Sequence, residues 1–378
     1  MRDALTLGAG SGGCAPNPLA FSGARVATIE LKARPVETSI KCIILGFGNV
    51  GRSLFDLLEE RNSWLKSNFG VEAKVVAVAD RGGAAISQEG LSFHELLKVK
   101  HERRTVAAHP VHGEPKLKGS DVVKLVDADV LFELTVTDVA TGEPGLSHIL
   151  AAIDKGLHVI TSNKGPLVAA FSKVIEKAQR RGILLRYTAT VGGALRVLRY
   201  LSSCLAGEPI LEIHGVLNGT SNYVLTKMEE GLTMEEAIKQ AQQMGIAEED
   251  PSLDIDGIDT ACKMVILANT VFGNSFSLGD VEIKGIRHIT SEQLSSAASQ
   301  GQAIRLIGFT DGEKISVSPQ RIPRNSPLCV YGTLNAVSMK TEKAGELVVT
   351  GPGAGPYETA STVYSDFVEI AEALCGGR

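Results

Sequence analysis

The residues that most directly suggest chemistry lie in the segment 245–264, where acidic side chains lead into a helical pattern. Five carboxylates at positions 248–256 are followed by Asp259 and Lys263, which are four residues apart. Residues at this spacing project from one helical face. The pair is either a surface salt bridge worth roughly a few tenths of a kcal/mol or a lysine that donates a proton to an oxygen gaining charge. Spacing alone favours the salt bridge.

A calcium loop is not indicated, because Gly257 follows Asp254 too soon for the EF-hand pattern.

A second motif, GFGNVG at residues 46–51, follows an apolar strand pattern and begins a helical one. In that context Gly46 permits a tight turn, Gly48 lets the backbone approach a pyrophosphate, and Gly51 allows close packing of helix on strand. The segment is therefore predicted to bind a dinucleotide. The expected contacts come from Gly46, Phe47, Gly48, Asn49, Val50 and Gly51.

Two adjacent residues at the end of the next predicted strand point to different nucleotides. Asp80 is expected to face the adenine ribose, where a carboxylate favours the free 2′-hydroxyl of NAD. Arg81 is suited to the 2′-phosphate of NADP, or is a solvated turn residue. The choice between NAD and NADP stays open at this point.

Alternating apolar and amphipathic segments supply the elements that position these motifs. Strands are predicted at 40–45, 74–79, 130–134, 158–161 and 184–187. Helices are predicted between them at 50–66, 147–155 and 167–180. Apolar strands that alternate with helices predict a parallel, doubly wound α/β sheet of the Rossmann type.

The pattern of predicted elements changes after residue 191, where a second domain of α+β type is expected. A strand is predicted at 210–217 and helices at 233–244 and 258–272. Short Val- and Ile-rich runs predict strands within 303–350, and a closing helix is predicted at 359–374.

Composition excludes several classes of protein. A net charge of −5 provides no basic surface for nucleic acid. No run approaches the roughly 20 apolar residues that span a bilayer. The six cysteines show neither a Cys-x-x-Cys pair nor zinc-site spacing, which indicates packed thiols in a reducing compartment.

Residues 1–38 are rich in Gly, Ala, Ser and Pro and predict a flexible N-terminal extension. They contain no continuous apolar segment of the secretory kind, and a cytoplasmic location is expected. A plastid location is the alternative, if this segment acts as a transit peptide.

Six ordered motifs resemble one enzyme family over about residues 40–376. They are GFGNVG (46–51), TSNKGP (161–166), ATVGGAL (189–195), GVLNGTSNYVLTKMEEG (215–231), GIAEEDPSLDIDGIDTACK (245–263) and GPGAGPYETAS (351–361). In this order they closely resemble the homoserine dehydrogenase family. The resemblance implies NAD(P)-dependent interconversion of aspartate semialdehyde and homoserine in threonine, methionine and isoleucine biosynthesis. It indicates a short, monofunctional form without kinase or regulatory domains.

The resemblance also assigns roles to individual residues. Lys263 matches the proton-donating lysine, Asp259 the acid beside it, and Lys164 a second essential lysine between nicotinamide and substrate. Glu248 matches the carboxylate that holds the substrate ammonium group. The remaining substrate-binding matches are Asp254, Asn218, Gly219 and Thr220, the last three in the NGTxNY turn.

Cofactor-contacting positions of the family fall on Thr135, Ser162, Lys164 and Gly355. The last of these implies that the chain returns to the nucleotide-binding domain, which is expected to comprise 39–187 and 355–378. Residues 188–354 are expected to form the catalytic and dimerisation domain of a homodimer, with the interface formed by strands within 303–350.

One loop departs from the family pattern. ATVGGAL resembles a loop whose carbonyls bind a monovalent cation such as Na⁺, which points to Val191, Gly193 and Leu195. The family's carboxylate three residues before the valine is Thr188 here, and its proline after the leucine is Arg196. Cation binding is therefore in doubt.

Two other functions are consistent with parts of the pattern. A phosphorylating aldehyde dehydrogenase shares the Rossmann half, but it needs a cysteine nucleophile with a histidine base, and neither Cys204 nor Cys262 has that setting. A catalytically impaired nucleotide-binding regulatory homologue is the second alternative, and the retained lysines and carboxylates argue against it.

Overall fold

The computed structural model describes residues 38–375. These residues form two β-sheets, one in each half of the chain. The first sheet consists of β1 (Thr38–Leu45), β2 (Val71–Asp80), β3 (Gly83–Ile86), β4 (Gly113–Glu114), β5 (Val130–Glu133), β6 (His158–Thr161) and β7 (Leu185–Arg186). The second consists of β8 (Ile210–Val216), β9 (Val281–Ile283), β10 (Gln302–Thr310), β11 (Ile315–Pro323), β12 (Leu334–Thr341) and β13 (Glu346–Pro352). The predicted extension at 1–38 lies outside the described residues except for Thr38, as do residues 376–378.

Helices cover the first sheet and separate it from the second. In the first half they are α1 (Asn49–Glu60), α2 (Asn62–Phe69), α3 (Phe93–Arg103), α4 (Gly119–Leu125), α5 (Gly145–Lys155) and α6 (Gly165–Arg180). In the second half they are α7 (Val197–Arg199), α8 (Gly219–Glu229), α9 (Met234–Gln243), α10 (Ser252–Ile255), α11 (Ile258–Phe272), α12 (Ser291–Ser299) and α13 (Pro356–Leu374). None of the helices within 38–375 has the length and apolarity needed to cross a bilayer.

The first sheet has the order β4-β3-β2-β1-β5-β6-β7. Its pairs from β2 to β7 are parallel, whereas β3 pairs antiparallel with β2 and β4 pairs antiparallel with β3. The strand order reverses between β1 and β5, which is where open α/β sheets bind ligands beyond the carboxyl ends of their strands. This confirms the predicted Rossmann-type class.

β1 shows why this half folds as it does. Cys42 and Ile44 pack on one face of the sheet and Ile43 and Leu45 on the other, all at or below 1% exposure. A strand covered on both faces reads as a continuous apolar run, as in central parallel strands. Helix α13 returns from the end of the chain to pack on α1.

The second sheet has the order β13-β12-β8-β10-β11-β9 and is antiparallel except for the β11–β9 pair. Helix α11 is buried along most of its length and lies between this sheet and the first half. It begins after Gly257, whose φ of +83° suits a residue without a side chain. Its placement brings the acidic segment 245–259 to the junction of the two halves.

Two sequence expectations need correction. The helix predicted at 50–66 is interrupted at Arg61, and Asn62 begins α2 with its amide bonded to the N and O of Ala73. The NGTxNY segment is the start of helix α8 rather than a turn, because the side chain of Asn218 accepts from the N–H of Ser221 as an N-cap.

Candidate active site

Helix α11 carries the predicted lysine and acid on one face. Lys263 Nζ lies 2.8 Å from Asp259 Oδ2 and also donates to the carbonyl of Leu217 at the end of β8. The side chain of Lys263 is 10% exposed, so this is a sheltered pair and not the surface salt bridge that spacing alone favoured. The carbonyl of Leu217 fixes the ammonium group from the opposite side.

A second lysine reaches the same carboxylate from the first half. Lys164 is the N-cap residue of α6, and its Nζ lies 3.4 Å from Asp259 Oδ1. Two ammonium groups therefore flank one carboxylate, one from each half of the molecule. This arrangement places two positive charges on one carboxylate.

Asn218 links the carboxylates of the site. Its Nδ2 donates to Asp254 Oδ1 at 2.5 Å and to Asp259 Oδ2 at 2.9 Å. The hydroxyl of Thr220 donates to the carbonyl of Ile246 at 3.3 Å, and Thr220 lies close enough to Asp254 to lower the pKa of that carboxyl. Gly219 lies where a Cβ would come within 3.0 Å of the carbonyl oxygen of Thr333. The structure thus brings Asn218, Gly219, Thr220 and Asp254 to one end of α8.

Glu248 is placed differently from the other predicted residues. It lies in the exposed loop between α9 and α10, where Gln242 Nε2 holds its backbone carbonyl at 3.2 Å. Within residues 38–375, no hydrogen bond or ion pair joins its carboxylate to the lysines. Its suggested contact with a substrate ammonium group remains a prediction.

The charges of the site shift the pKa values of its members in a consistent way. Burial raises the pKa of Asp259, but the charges of Lys263 and Lys164 outweigh it and hold that pKa well below its usual range. Burial lowers the pKa of Lys164, but Asp259 more than offsets this and raises it. Burial and then the charge of Asp259 raise the pKa of Asp254. The shifts favour the charged forms of Asp259 and Lys164.

The glycine fingerprint leaves no room for side chains at two of its three glycines. A Cβ on Gly46 would lie 2.3 Å from the carbonyl oxygen of Leu134, and one on Gly51 would lie 2.1 Å from the carbonyl oxygen of Gly46. Gly48, the N-cap of α1, faces open space instead. Phe47 is buried in the core, so only its backbone is available to a ligand. Asn49 and Val50 begin α1, whose free N–H groups favour an anion.

Asp80 is bound by the protein itself. Its Oδ2 accepts from Lys100 Nζ at 2.6 Å and from the N–H of Val106 at 3.0 Å. Its Oδ1 accepts from the hydroxyl of Thr105 and the N–H of Gly82. These bonds outweigh burial and lower the pKa of Asp80. The expected free carboxylate facing a ribose is therefore already engaged, and exposed Arg81 follows it.

The other positions matched to cofactor contacts line the same edge of the first sheet. Thr135 follows β5 and Ser162 follows β6, both half-buried. Gly355 is the N-cap of α13, with a φ of +140° that a side chain would strain. The carboxyl ends of the parallel strands β1, β5 and β6 thus lie at the same edge of the sheet.

The predicted cation loop does not fit a cation well. The carbonyl oxygen of Gly193 accepts from the hydroxyl of Thr362 at 3.0 Å, and Thr188 N–H donates to Asp366 at 3.1 Å. Arg196 carries its own positive charge beside this loop, with Nη2 bonded to the Ser361 hydroxyl at 3.0 Å. Val191 and Leu195 are buried, and the side chain at 188 offers a hydroxyl instead of a carboxylate. Helix α13 holds the loop where the family pattern places an ion.

Sequence reasoning missed several residues that support the site. Lys100 and Thr105 lie in the segment 81–120, to which no role was assigned, and no local motif connects them with Asp80. The Leu217 carbonyl carries no side-chain signal at all. Thr362 lies in the predicted closing helix 359–374, and nothing in the sequence connects it with the loop 188–196.

Comparisons with known proteins agree with this geometry. Residues 46–188 match the family model of the homoserine dehydrogenase NAD binding domain, and residues 197–368 match that of homoserine dehydrogenase. A homoserine dehydrogenase of Methanocaldococcus jannaschii is 45% identical over 87% of this chain and 97% of its own length. An NAD(+)-dependent homoserine dehydrogenase of Pseudomonas canavaninivorans is 35% identical over 89% of this chain and 97% of its own.

The fold comparison gives the same result. A hyperthermophilic archaeal homoserine dehydrogenase solved in complex with NADPH superposes with a TM-score of 0.77 at 30% identity, covering 88% of this chain and 97% of that one. Sequence motifs, sheet order and the lysine-flanked carboxylate all lead to one conclusion. The chain belongs to the homoserine dehydrogenase family.

Proposed function

We propose that this chain catalyses the NAD(P)-dependent interconversion of L-aspartate 4-semialdehyde and L-homoserine, a step of amino-acid biosynthesis. The observation that carries the proposal is the pair of lysine ammonium groups on the single carboxylate of Asp259. A carbonyl oxygen that gains negative charge is stabilised by preorganised positive charge in a sheltered site.

The chain's own residues would divide the work. The bound nicotinamide supplies or removes the hydride at C4 of the substrate. Lys263 donates a proton to the substrate oxygen during reduction and accepts it during oxidation, while Lys164 stays charged and stabilises the alkoxide. Asp259 keeps both ammonium groups in place. Glu248, Asp254 and the start of α8 are proposed to orient the amino-acid end of the substrate.

The nucleotide preference follows from the surroundings of Asp80. A carboxylate already bonded to Lys100, Thr105 and two backbone N–H groups is poorly placed to select the 2′-hydroxyl of NAD. The positive side chains of Lys100 and Arg81 at this edge favour a 2′-phosphate. We therefore propose that NADP is used at least as well as NAD.

Two further parts of the assignment are proposals of the same kind. Residues 39–187 with 355–378 would form the nucleotide-binding domain, and 188–354 the catalytic domain. A homodimer through β10–β13 is supported by the large apolar side chains of Tyr331 and Leu334, each at least 40% exposed beside this sheet. Light scattering after size exclusion would give the mass of the assembly.

A phosphorylating aldehyde dehydrogenase is a poorer match to the site. That chemistry needs a thiolate, whereas burial, together with the charge of Asp259, raises the pKa of Cys262 to about 12. The comparisons do not support a catalytically impaired regulatory homologue. The presence of Lys164, Lys263, Asp259 and Glu248 also argues against it.

The direct test is turnover of the purified full chain. Homoserine with NAD⁺ or NADP⁺ at alkaline pH should produce reduced nicotinamide, measured by absorbance, with kcat/KM for NADP⁺ equal to or above that for NAD⁺. Arg81→Ala should raise KM for NADP⁺ and leave that for NAD⁺ within about twofold, since it removes only a phosphate partner. Absence of turnover with both nucleotides would contradict the proposed function.

A further inference from the structure

A buried polar cluster lies beneath the carboxyl ends of β5 and β6. It consists of Glu133 and Thr161, both at 0% exposure, Asn163 at 1%, and His148 at 6%. Carboxylates and amides removed from water are costly unless hydrogen bonds satisfy them. The hydrogen bonds of these buried side chains therefore identify the backbone segments that they hold in place.

Glu133 ties three elements together. Its Oε1 accepts from the hydroxyl of Thr135 and lies 3.4 Å from His148 Nδ1 on α5. The hydroxyl of Thr161, at the end of β6, donates to the backbone carbonyl of Glu133 at 2.9 Å and also lies 3.3 Å from Glu133 Oε2. Glu133 thereby links β5 to β6 at the edge where the site lies, and its carboxylate packs among Thr135, His148 and Thr161.

Asn163 extends this connection to the next residue of the chain. Its Nδ2 donates to the carbonyl of Val136 at 3.1 Å, and its Oδ1 accepts from the N–H of Gly165 at 3.0 Å. The backbone N–H of Asn163 donates to the Thr161 hydroxyl at 3.0 Å. Lys164 lies between Asn163 and Gly165, so its backbone is held on both sides.

The cluster has no room to shift. A Cβ on Gly145 would come within 2.7 Å of Asn163 Nδ2, and one on Gly165 within 2.4 Å of the carbonyl oxygen of Asp138. A Cβ on Gly119 would lie 2.5 Å from His148 Nε2. Backbone therefore packs directly against the polar groups, which leaves no space for a side chain at these glycines.

We propose that Glu133 and Asn163 are positioning residues for Lys164, setting where its ammonium group stands relative to the substrate oxygen. The inference rests on the proposed function. Misplacement of a reacting group by about 1 Å can cost on the order of a hundredfold in rate. Both side chains are buried beneath the site, and the proposed effect on the substrate oxygen passes through the position of Lys164.

A double-mutant cycle tests this directly on the full chain. Glu133→Gln and Asn163→Ala are each made alone and in a Lys164→Ala background. Each is expected to lower kcat about tenfold to a hundredfold in the native background and less than twofold once Lys164 is absent. The dissociation constant of homoserine is measured by calorimetry for the same variants with nucleotide bound. This second measurement does not depend on residual turnover.

Asn62→Ala provides the matched control. The amide of Asn62 also bridges backbone groups, donating to the O and accepting from the N of Ala73, but on α2 away from Lys164. Its effect should be the same with and without Lys164. If Glu133→Gln fails to fold, as judged by near-UV circular dichroism, Asn163→Ala carries the test.

The possible results distinguish the positioning role of Glu133 and Asn163 from the proposed enzymatic function. Equal effects of Glu133→Gln and Asn163→Ala in both backgrounds, in kcat and in homoserine affinity, would overturn the positioning role while leaving the native activity intact. No turnover by the native chain would contradict the proposed function instead.

Discussion

Asp259 determines the charge balance of the site at the scale of single residues. It is the one described carboxylate paired with both Lys164 and Lys263, and their charges keep it ionised. Breaking a sheltered ion pair from one side leaves the other charge uncompensated, which typically costs about 3–5 kcal/mol. Under the proposed function, activity and stability are therefore both expected to depend on the Asp259 carboxylate.

Asp259→Asn is expected to lower both properties. Two facing ammonium groups would repel each other, so the free energy of unfolding should fall by about 3 kcal/mol and kcat/KM by at least a hundredfold. Urea denaturation and steady-state kinetics measure the two effects. An Asp259→Asn variant as stable and active as the native chain would show that the carboxylate is incidental.

The sign of the pH dependence follows from the lowered pKa of Asp259. Its folded pKa lies below its unfolded pKa, so its stabilising contribution is present above about pH 4 and is lost as the pH falls further. The native chain should therefore lose more stability on acidification than Asp259→Asn does.

At the scale of elements, the loop 188–196 is held by side chains from α13. Thr362 bonds to the Gly193 carbonyl, Ser361 binds Arg196, and Asp366 accepts from the N–H of Thr188. Arg196 has a φ of +50°, a conformation that costs a non-glycine residue roughly 1–2 kcal/mol. These contacts with α13 hold the loop in place within the protein itself.

Activity is accordingly expected to be independent of the monovalent cation. At equal ionic strength, NaCl, KCl and choline chloride should give kcat and KM values within about 1.5-fold, because the loop has protein partners. A several-fold activation by Na⁺ or K⁺ over choline would contradict this. Thr362→Val, which frees the Gly193 carbonyl, is the informative companion variant.

Sequence patterns predicted the first sheet well because its central strands are apolar and alternate with helices. This holds for β1, β2, β5 and β6, and the glycine motif marks the turn after β1. The segment 81–120 could not be predicted, because α3, α4 and the short antiparallel strands there have weak periodicity. Its role, the engagement of Asp80, depends on contacts between residues 20–26 positions apart.

The site itself was only partly readable from the sequence. Spacing identified the pair on α11, but the burial that makes it a catalytic candidate rather than a salt bridge comes from packing between the two halves. Lys164 and Asn218 converge on Asp259 from distant parts of the chain. Such convergence has no local signature.

At the scale of the whole molecule, α13 joins the end of the chain to the junction of its halves. Asp366 on α13 is 1% exposed and accepts from the backbone of Thr188, near the charges of Arg186 and Arg199. Burial raises the pKa of Asp366 to about 6. A carboxyl whose folded pKa exceeds its unfolded value stabilises the fold at low pH and loses that contribution as the pH rises through about 4 to 6.

Asp366→Asn should therefore change the pH dependence of stability. The native chain should lose about 1–3 kcal/mol between pH 4.5 and 7.5 through this group, and the variant should lack that loss. Urea denaturation at the two pH values measures it, with the exposed Glu282→Gln as the control. An unchanged pH dependence in Asp366→Asn would show that Asp366 is not the group responsible.

The central claim is that Lys263 transfers the proton of the substrate oxygen, and one comparison of variants tests it most directly. Lys263→Ala is assayed beside Lys177→Ala, whose lysine also pairs with a carboxylate, Asp154 at 2.7 Å, but on the surface. Lys263→Ala should lower kcat for homoserine oxidation at least a hundredfold while nucleotide affinity changes less than about threefold, and Lys177→Ala should stay within twofold of native. Retention of more than half of the native kcat by Lys263→Ala would contradict the account.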